Sequence, residues 1–206
     1  MCDGSSGRLV SPRMTTQLGM FGERGNLPDG FRYQPNLLSP ADEAGLLLRV
    51  RELALQEFRF HGFTGKRRTA SFGWQYDFAS ERLREAGEIP EFLREARSAA
   101  AQFAGLAADD LPHVLVTEYP SGAGIGWHRD KAVFDIVVGI SLLSPCRFRL
   151  RRELSGKYQR AAITAEPRSA YLLSGEAREE WEHSIPPVDT LRYSITFRSV
   201  VAERLP

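Results

Sequence analysis

From residue 112 onward the chain is written as short β-forming runs broken by Pro, Gly and Ser: HVLVTEY, FDIVVGISLL, CRFRLRR, RAAITAE, SAYLLSG and LRYSITFRSVV. Strands this short and this numerous can bury their apolar residues only by closing into a sandwich or barrel. CRFRLRR shows the pattern plainly. Cys146, Phe148 and Leu150 alternate with Arg147, Arg149 and Arg151, which gives a strand one dry face and one wet face. The first half of the chain differs. LSPADEAGLLLRVRELAL predicts a helix, with Ser39 as its cap, Pro40 in the first turn and Asp42 and Glu43 at its positive end. Leu46, Leu47, Val50 and Leu53 recur at helical spacing. IPEFLREARSAAAQFAG predicts a second helix, opened by Pro90 and ended at Gly105, with Phe92, Ala96, Ala99, Ala100 and Phe103 on its apolar side. Between the helices, FRFHGFTGKRRTASFGWQYDF reads as a hairpin or a pair of short strands.

A chain of 206 residues is long enough to bury one substantial core, and 42% hydrophobic with 26% charged residues is a globular composition. The expectation is an α+β fold with three parts: a flexible tail over 1–27, a helical and lid region over 28–111, and a β core over 112–206. The formal net charge is only +1, so any affinity for nucleic acid must come from local basic patches. Two cysteines, Cys2 and Cys146, argue against a disulfide framework and fit a reducing compartment. No apolar run is long enough to span a bilayer, and the polar opening lacks the apolar centre of a secretory signal. A cytoplasmic monomer is expected, with Met14 as an alternative start.

GWHRD sets His128 and Asp130 two residues apart in a chain with four histidines. On an extended backbone both side chains project to the same side. Alone, the pair is a weak signal and reads as surface ion partners before it reads as two metal ligands. A third donor, His183, lies far along the chain in WEHSIPP, and two histidines with one carboxylate form the facial set that holds non-haem Fe(II). In the last β run, Arg192, Ser194, Thr196 and Arg198 share one face, and Tyr193, Ile195 and Phe197 the other. The arginines are either solvated or converge on a small dianion, since a buried guanidinium needs an acid partner.

H-x-D, a distant His and R-x-x-x-x-x-R on a closing strand together resemble the AlkB family of Fe(II)- and 2-oxoglutarate-dependent dioxygenases. The similar region runs from about Phe58 to Ser199 and is strongest in EYPSGAGIGWHRD, GISLLS, SAYLLSG and EHSIPPVDTLRYSITFR. The resemblance implies a double-stranded β-helix (jelly-roll) core with N-terminal helices packed on it. It implies Fe(II) held by His128, Asp130 and His183, with 2-oxoglutarate and O₂ as co-substrates. Arg192 would pair with the far carboxylate of 2-oxoglutarate, Arg198 would lie near its metal-chelating end and Asp130, and Tyr119 and Ser194 would flank the co-substrate. Two positions depart from the family. Thr117 stands where an asparagine is usual, and Ala132 where the founding member has an acidic base-reading residue.

The resemblance makes alkylated single-stranded DNA or RNA the expected partner, with oxidative demethylation as the reaction. In the lid region Lys66, Arg67 and Arg68 offer cations for phosphates, and Trp74 and Tyr76 offer faces for unpaired bases, beside His61, Phe58, Phe60, Phe63 and Phe72. Alternating aromatics also suit a core, with Trp74 and Tyr76 packing on the first helix beside Phe72. Arg147, Arg149, Arg151, Arg152 and Lys157 form a second basic run, which serves equally as edge protection. A protein substrate and a non-catalytic metal-binding β-helix stand as alternatives. His113 reads as a surface or capping residue at a strand start, and Cys146 as a core residue. Trp127 and Trp181 flank metal ligands and suit pocket wall or packing alike.

Overall fold

A computed structural model describes residues 27–60, 63–77 and 82–201, and within these the backbone alone at 58–60 and 63–64. Cys2, Met14 and His61 lie outside the described residues, as does the tail over 1–26. Two antiparallel sheets face one another. The larger contains β1 (Phe31–Gln34), β2 (Gln56–Phe60), β3 (Phe63–Asp77), β4 (Arg82–Ala86), β5 (His113–Tyr119), β7 (Phe134–Leu142), β10 (Ala170–Leu173) and β12 (Arg192–Val200), in the order β1-β10-β7-β12-β5-β3-β2 with β4 beside β3. The smaller contains β6 (Ile125–His128), β8 (Cys146–Leu154), β9 (Lys157–Ala165) and β11 (Glu182–Ile185), in the order β6-β11-β8-β9. This is the jelly-roll that the resemblance implies, and each β run from 112 onward forms a strand.

Helices α1 (Pro40–Val50) and α2 (Arg94–Ala104) cover the back of the larger sheet. Ser39 caps α1 as expected, its hydroxyl accepting from the Asp42 amide while the Asp42 carboxylate accepts from the Ser39 amide. The helix stops at Val50, earlier than the pattern suggested. Leu53 and Leu55 still reach the same core, but from a turn, because the chain must reverse to begin β2 at Gln56. A 3₁₀ turn over Glu91–Leu93 leads into α2, which ends at Gly105 in the left-handed conformation that glycine adopts without strain. A third, short helix, α3 (Gly175–Glu179), precedes β11. Among the described residues no helix is long and apolar enough to cross a membrane.

Alternation along β5, β7 and β12 builds two cores from one sheet. Val114, Val116, Val138, Ile140, Leu142, Tyr193, Ile195 and Phe197 face the helices. The opposite faces carry Tyr119, Val137 and, from β10, Tyr171, which pack against Phe148, Leu150 and Ile185 of the smaller sheet. Cys146 is a buried free thiol in that second core, as expected, and burial raises its pKa. Gly139 is required by this packing, since a Cβ there would lie 2.2 Å from the Tyr171 ring. Trp74 and Tyr76 pack neither on α1 nor with Phe72. After the left-handed Gly73 they turn to a small cluster with Leu83, Val133 and Phe134, whereas Phe72 joins the helix-side core. Because Ile195 is fully buried in the central strand, Ile195→Ala is expected to lower unfolding free energy by about 2–5 kcal/mol, measured by urea denaturation.

Candidate active site

The space between the sheets is a cavity of about 1010 Å³. Its polar end is built by residues that the second core leaves on the inner faces: His128 and His183 from the smaller sheet, and His113, Thr117, Thr196 and Arg198 from the larger. His128 and His183 are direct partners across the β6–β11 ladder, so their rings share a face, with centroids 4.2 Å apart. The Phe148 ring stacks on the other side of His183 at 5.4 Å. Asp130 follows just beyond the end of β6, and its Oδ2 comes within 3.6 Å of His183 Nε2. The three side chains singled out from sequence thus line one end of the same cavity, with His183 next to both of the others, although the described residues do not form a closed cluster of three donors.

Asp130 and His128 are each held with one donor atom left over. Arg198 donates through Nε and Nη2 to a single oxygen, Asp130 Oδ1, both at 2.8 Å. The other oxygen, Oδ2, is buried without a hydrogen-bond partner. His128 Nδ1 donates to the Gly126 carbonyl at 2.9 Å, which leaves Nε2 as the lone-pair nitrogen. Burial would raise the Asp130 pKa, but Arg198, His183, His128 and Arg178 outweigh it and hold the carboxyl below its usual range. Burial lowers the His128 pKa, and burial with the neighbouring His128 pushes His183 down to about 3. At neutral pH the set is one anion and two neutral imidazoles, the protonation state a divalent cation requires. Ligand bonds of about 2.1 Å place neighbouring donors on the order of 3 Å apart, close to the spacing of Asp130 Oδ2 and His183 Nε2.

Among the described residues Arg192 is the largest fully buried side chain. Its Nε donates to Ser141 Oγ at 3.2 Å and its Cζ lies 4.9 Å over the Tyr119 ring, while both terminal nitrogens have no partner. A buried guanidinium with an unmet fork is costly, and a carboxylate accepted bidentately would satisfy it. Ser194 and Thr117 are directly paired across β12 and β5, both buried, and Arg192 pairs with Tyr119 in the same ladder.

The lid cations divide. Arg67 enters the cavity from β3 beside Tyr119, and burial lowers its pKa. Arg68, its neighbour, points to the opposite face and donates to both carboxylate oxygens of Glu118, at 2.8 and 2.9 Å. This ion pair, whose acid also accepts from Tyr193, keeps Arg68 out of the cavity wall. Lys66 is exposed and not part of the cavity wall, Tyr76 is part of it, and Trp74 is not.

His113 corrects the surface reading: it is 4% exposed, tilted on Phe134 at 4.6 Å, with Nδ1 3.4 Å from Arg198. Inward projection from β5 put it there, and a lone His after Pro112 carried no signal of it. Arg178 of α3 also escaped sequence reading. It is buried and donates to the carbonyls of Lys131 at 2.5 Å and Phe134 at 2.6 Å, pinning the turn that follows Asp130. Trp127 lines the cavity, whereas Trp181 is core and bonds Glu176 through its indole nitrogen.

Residues 30–198 match the 2OG-Fe(II) oxygenase superfamily, and the chain belongs to that family. The match begins before Phe58, so β1 and α1 are part of it. The alkylated DNA repair protein ALKBH8 homolog of Arabidopsis thaliana is 29% identical over 200 residues, covering 84% of this chain and 56% of that protein. The uncharacterized protein L905 of Acanthamoeba polyphaga mimivirus is 32% identical over 107 residues, covering 45% of this chain and 50% of that one. The chain thus spans about half the length of these curated relatives. The structure of OsALKBH1 superposes with TM-score 0.61 at 19% identity, over 84% of this chain and 98% of that one. A prolyl-4-hydroxylase of Pseudomonas putida superposes with TM-score 0.58 at 14% identity, over 84% and 93% respectively, so what is shared with these structures is the fold.

Burial lowers the His113 pKa well below 6.5, and the Arg198 charge adds to the shift. The unfolded chain therefore takes up a proton near pH 6.5 that the folded chain refuses, and stability falls as pH drops below that value. His128 and His183 act with the same sign. In metal-free protein, urea denaturation at pH 7.5 and 5.5 (about one unit either side of 6.5) is expected to show this loss. His113→Gln is expected to remove up to about 1.4 kcal/mol of it.

Proposed function

We propose that the chain is an AlkB-like Fe(II)- and 2-oxoglutarate-dependent dioxygenase that oxidatively demethylates N-alkylated bases in single-stranded DNA or RNA. The observation that carries this reading is the unmet Asp130 Oδ2 beside two neutral imidazoles, in a fold that also buries the unmet fork of Arg192. His128, Asp130 and His183 would hold the iron. Arg198 occupies the second carboxylate oxygen, so Asp130 offers one donor and leaves coordination positions open. Arg192 would clamp the far carboxylate of 2-oxoglutarate, with Tyr119 and Ser194 beside it. Bound iron supplies the oxidation, coupling decarboxylation of 2-oxoglutarate by O₂ to hydroxylation of a C–H bond, after which a hydroxylated N-methyl group breaks down to formaldehyde and the free base nitrogen.

The protein's part is positioning and exclusion. Phe148, Ile125 and Ile185 make an apolar wall around the imidazoles, and Arg178 fixes the turn beside the carboxylate. Thr117, shorter than the usual asparagine, lines the cavity together with Tyr119 and Arg67. A base must leave its stack to enter such a cavity, which favours single strands. The relation to a plant alkylated DNA repair protein homolog supports a nucleic-acid substrate over a protein side chain. In this reading the protein works as a cytoplasmic monomer.

The test is succinate release with Fe(II), O₂ and 2-oxoglutarate, with and without methylated oligonucleotides, with the bases read by mass spectrometry. Oligonucleotide-stimulated turnover and loss of the methyl group are expected, with His128→Ala and Asp130→Ala at background. Arg192→Leu is expected to weaken 2-oxoglutarate binding by about 2–5 kcal/mol, seen as a raised KM. Turnover retained by the iron-free His128→Ala protein, or stimulation by peptides alone, would contradict the proposal.

A further inference from the structure

The outer face of the smaller sheet carries a run of side chains that the active site does not use. The ring of Trp127, on edge strand β6, meets two guanidinium groups from β8, with Arg149 Cζ at 4.9 Å and Arg151 Cζ at 4.4 Å. Arg151 also lies 4.7 Å over Tyr158 of β9, and Arg160 covers the same ring at 5.3 Å. The contacts join Arg149, Trp127, Arg151, Tyr158 and Arg160 from one edge of the sheet to the other.

Cross-strand pairing sets which residues share this face. Arg147 lies opposite Thr164, Arg149 opposite Ala162, Arg151 opposite Arg160 and Glu153 opposite Tyr158. From β11, Ser184 and Glu182 stand beside Arg149 and Arg151. Four arginines thus meet two glutamates. Arg151 is tied to Glu182 through Nε at 2.7 Å and Arg149 to Ser184 through Nε at 3.1 Å, bonds that leave the terminal amino pair for a further acceptor. Arg147 and Arg160 are exposed, and Tyr158 is 42% exposed. Trp127 also lines the cavity, so the run begins at the rim of the active site.

We propose that this face is a docking track for the phosphodiester backbone of the nucleic-acid strand whose target base enters the cavity beside Trp127; this rests on the nucleic-acid reading above. Stacking on aromatic rings fixes the planes of weakly hydrated guanidinium groups and turns their edges to acceptors, the geometry that suits phosphate. The positive charge is spread along a line that leads out from the cavity, which fits a polyanion threading past the site.

The experiment measures binding of unmodified single-stranded RNA and DNA by anisotropy across about 50–200 mM salt. Arg147→Gln/Arg160→Gln is expected to weaken binding about tenfold and to flatten the slope of log K against log salt by about 1.4, two single-strand phosphate contacts. Tyr158→Ala, at an exposed site, is expected to weaken binding about two- to fivefold, and serves if the double variant fails to fold. Unchanged affinity and slope in the folded variants overturn the proposal. So does failure of the wild-type protein to bind either strand, or tighter binding to polyglutamate or phosphatidylserine vesicles. Succinate release on the same samples separates the two readings. Its absence alongside salt-dependent binding that the variants lose defeats the oxygenase assignment alone, and its presence with variant-insensitive binding defeats the track alone.

Discussion

The pair on which the rest depends is Asp130 with Arg198. A carboxylate buried between two sheets is tolerated only when a cation meets it, and Arg198 does so through two nitrogens on one oxygen. That single contact ties the loop after β6 to the closing strand β12 and keeps Asp130 ionised. It also decides which oxygen remains for a metal. His183, beside that oxygen, stays neutral because burial and His128 disfavour its charged form. At the polar end of the cavity the Asp130 anion is therefore balanced by Arg198 beside neutral imidazoles, with Arg178 holding the adjoining turn.

Such a site stores unmet polar groups, and the larger sheet supports them from behind. Tyr193, Ile195 and Phe197 alternate with Arg192, Ser194, Thr196 and Arg198 along one strand. The first set locks β12 against two helices, which fixes the backbone that presents the second. Arg192, buried with both terminal nitrogens unmet, stays in place because its strand is held by β5 and β7 on both sides. Stability sits on one face of the strand and chemistry on the other.

Much of this was legible in the residue pattern. Alternation in CRFRLRR and LRYSITFRSVV gave the strands and their faces, and Ser39, Pro40 and Gly105 marked helix ends through local backbone chemistry. The proposed iron ligands could be picked out because His128 and Asp130 lie close in sequence and the order of motifs pointed to His183. Local pattern did not reveal distant partners. Arg68 stands beside Arg67 in a basic run, yet Glu118 across the ladder claims it for the opposite face. Trp74 and Tyr76 left the expected helix contact because the left-handed Gly73 redirects β3 toward Leu83 and Val133.

The sequence by itself determined what is periodic or local: strand faces, helix caps, the H-x-D spacing and the arginines six residues apart. Only the tertiary structure decided which of those polar residues share a cavity. His113 faces inward beside Arg198, Arg178 reaches the Lys131 and Phe134 carbonyls, and Trp127 touches Arg149 and Arg151 over the intervening strand β11. The reason is physical: side-chain direction is set every two residues along a strand, but partners are set by register between strands far apart in the chain.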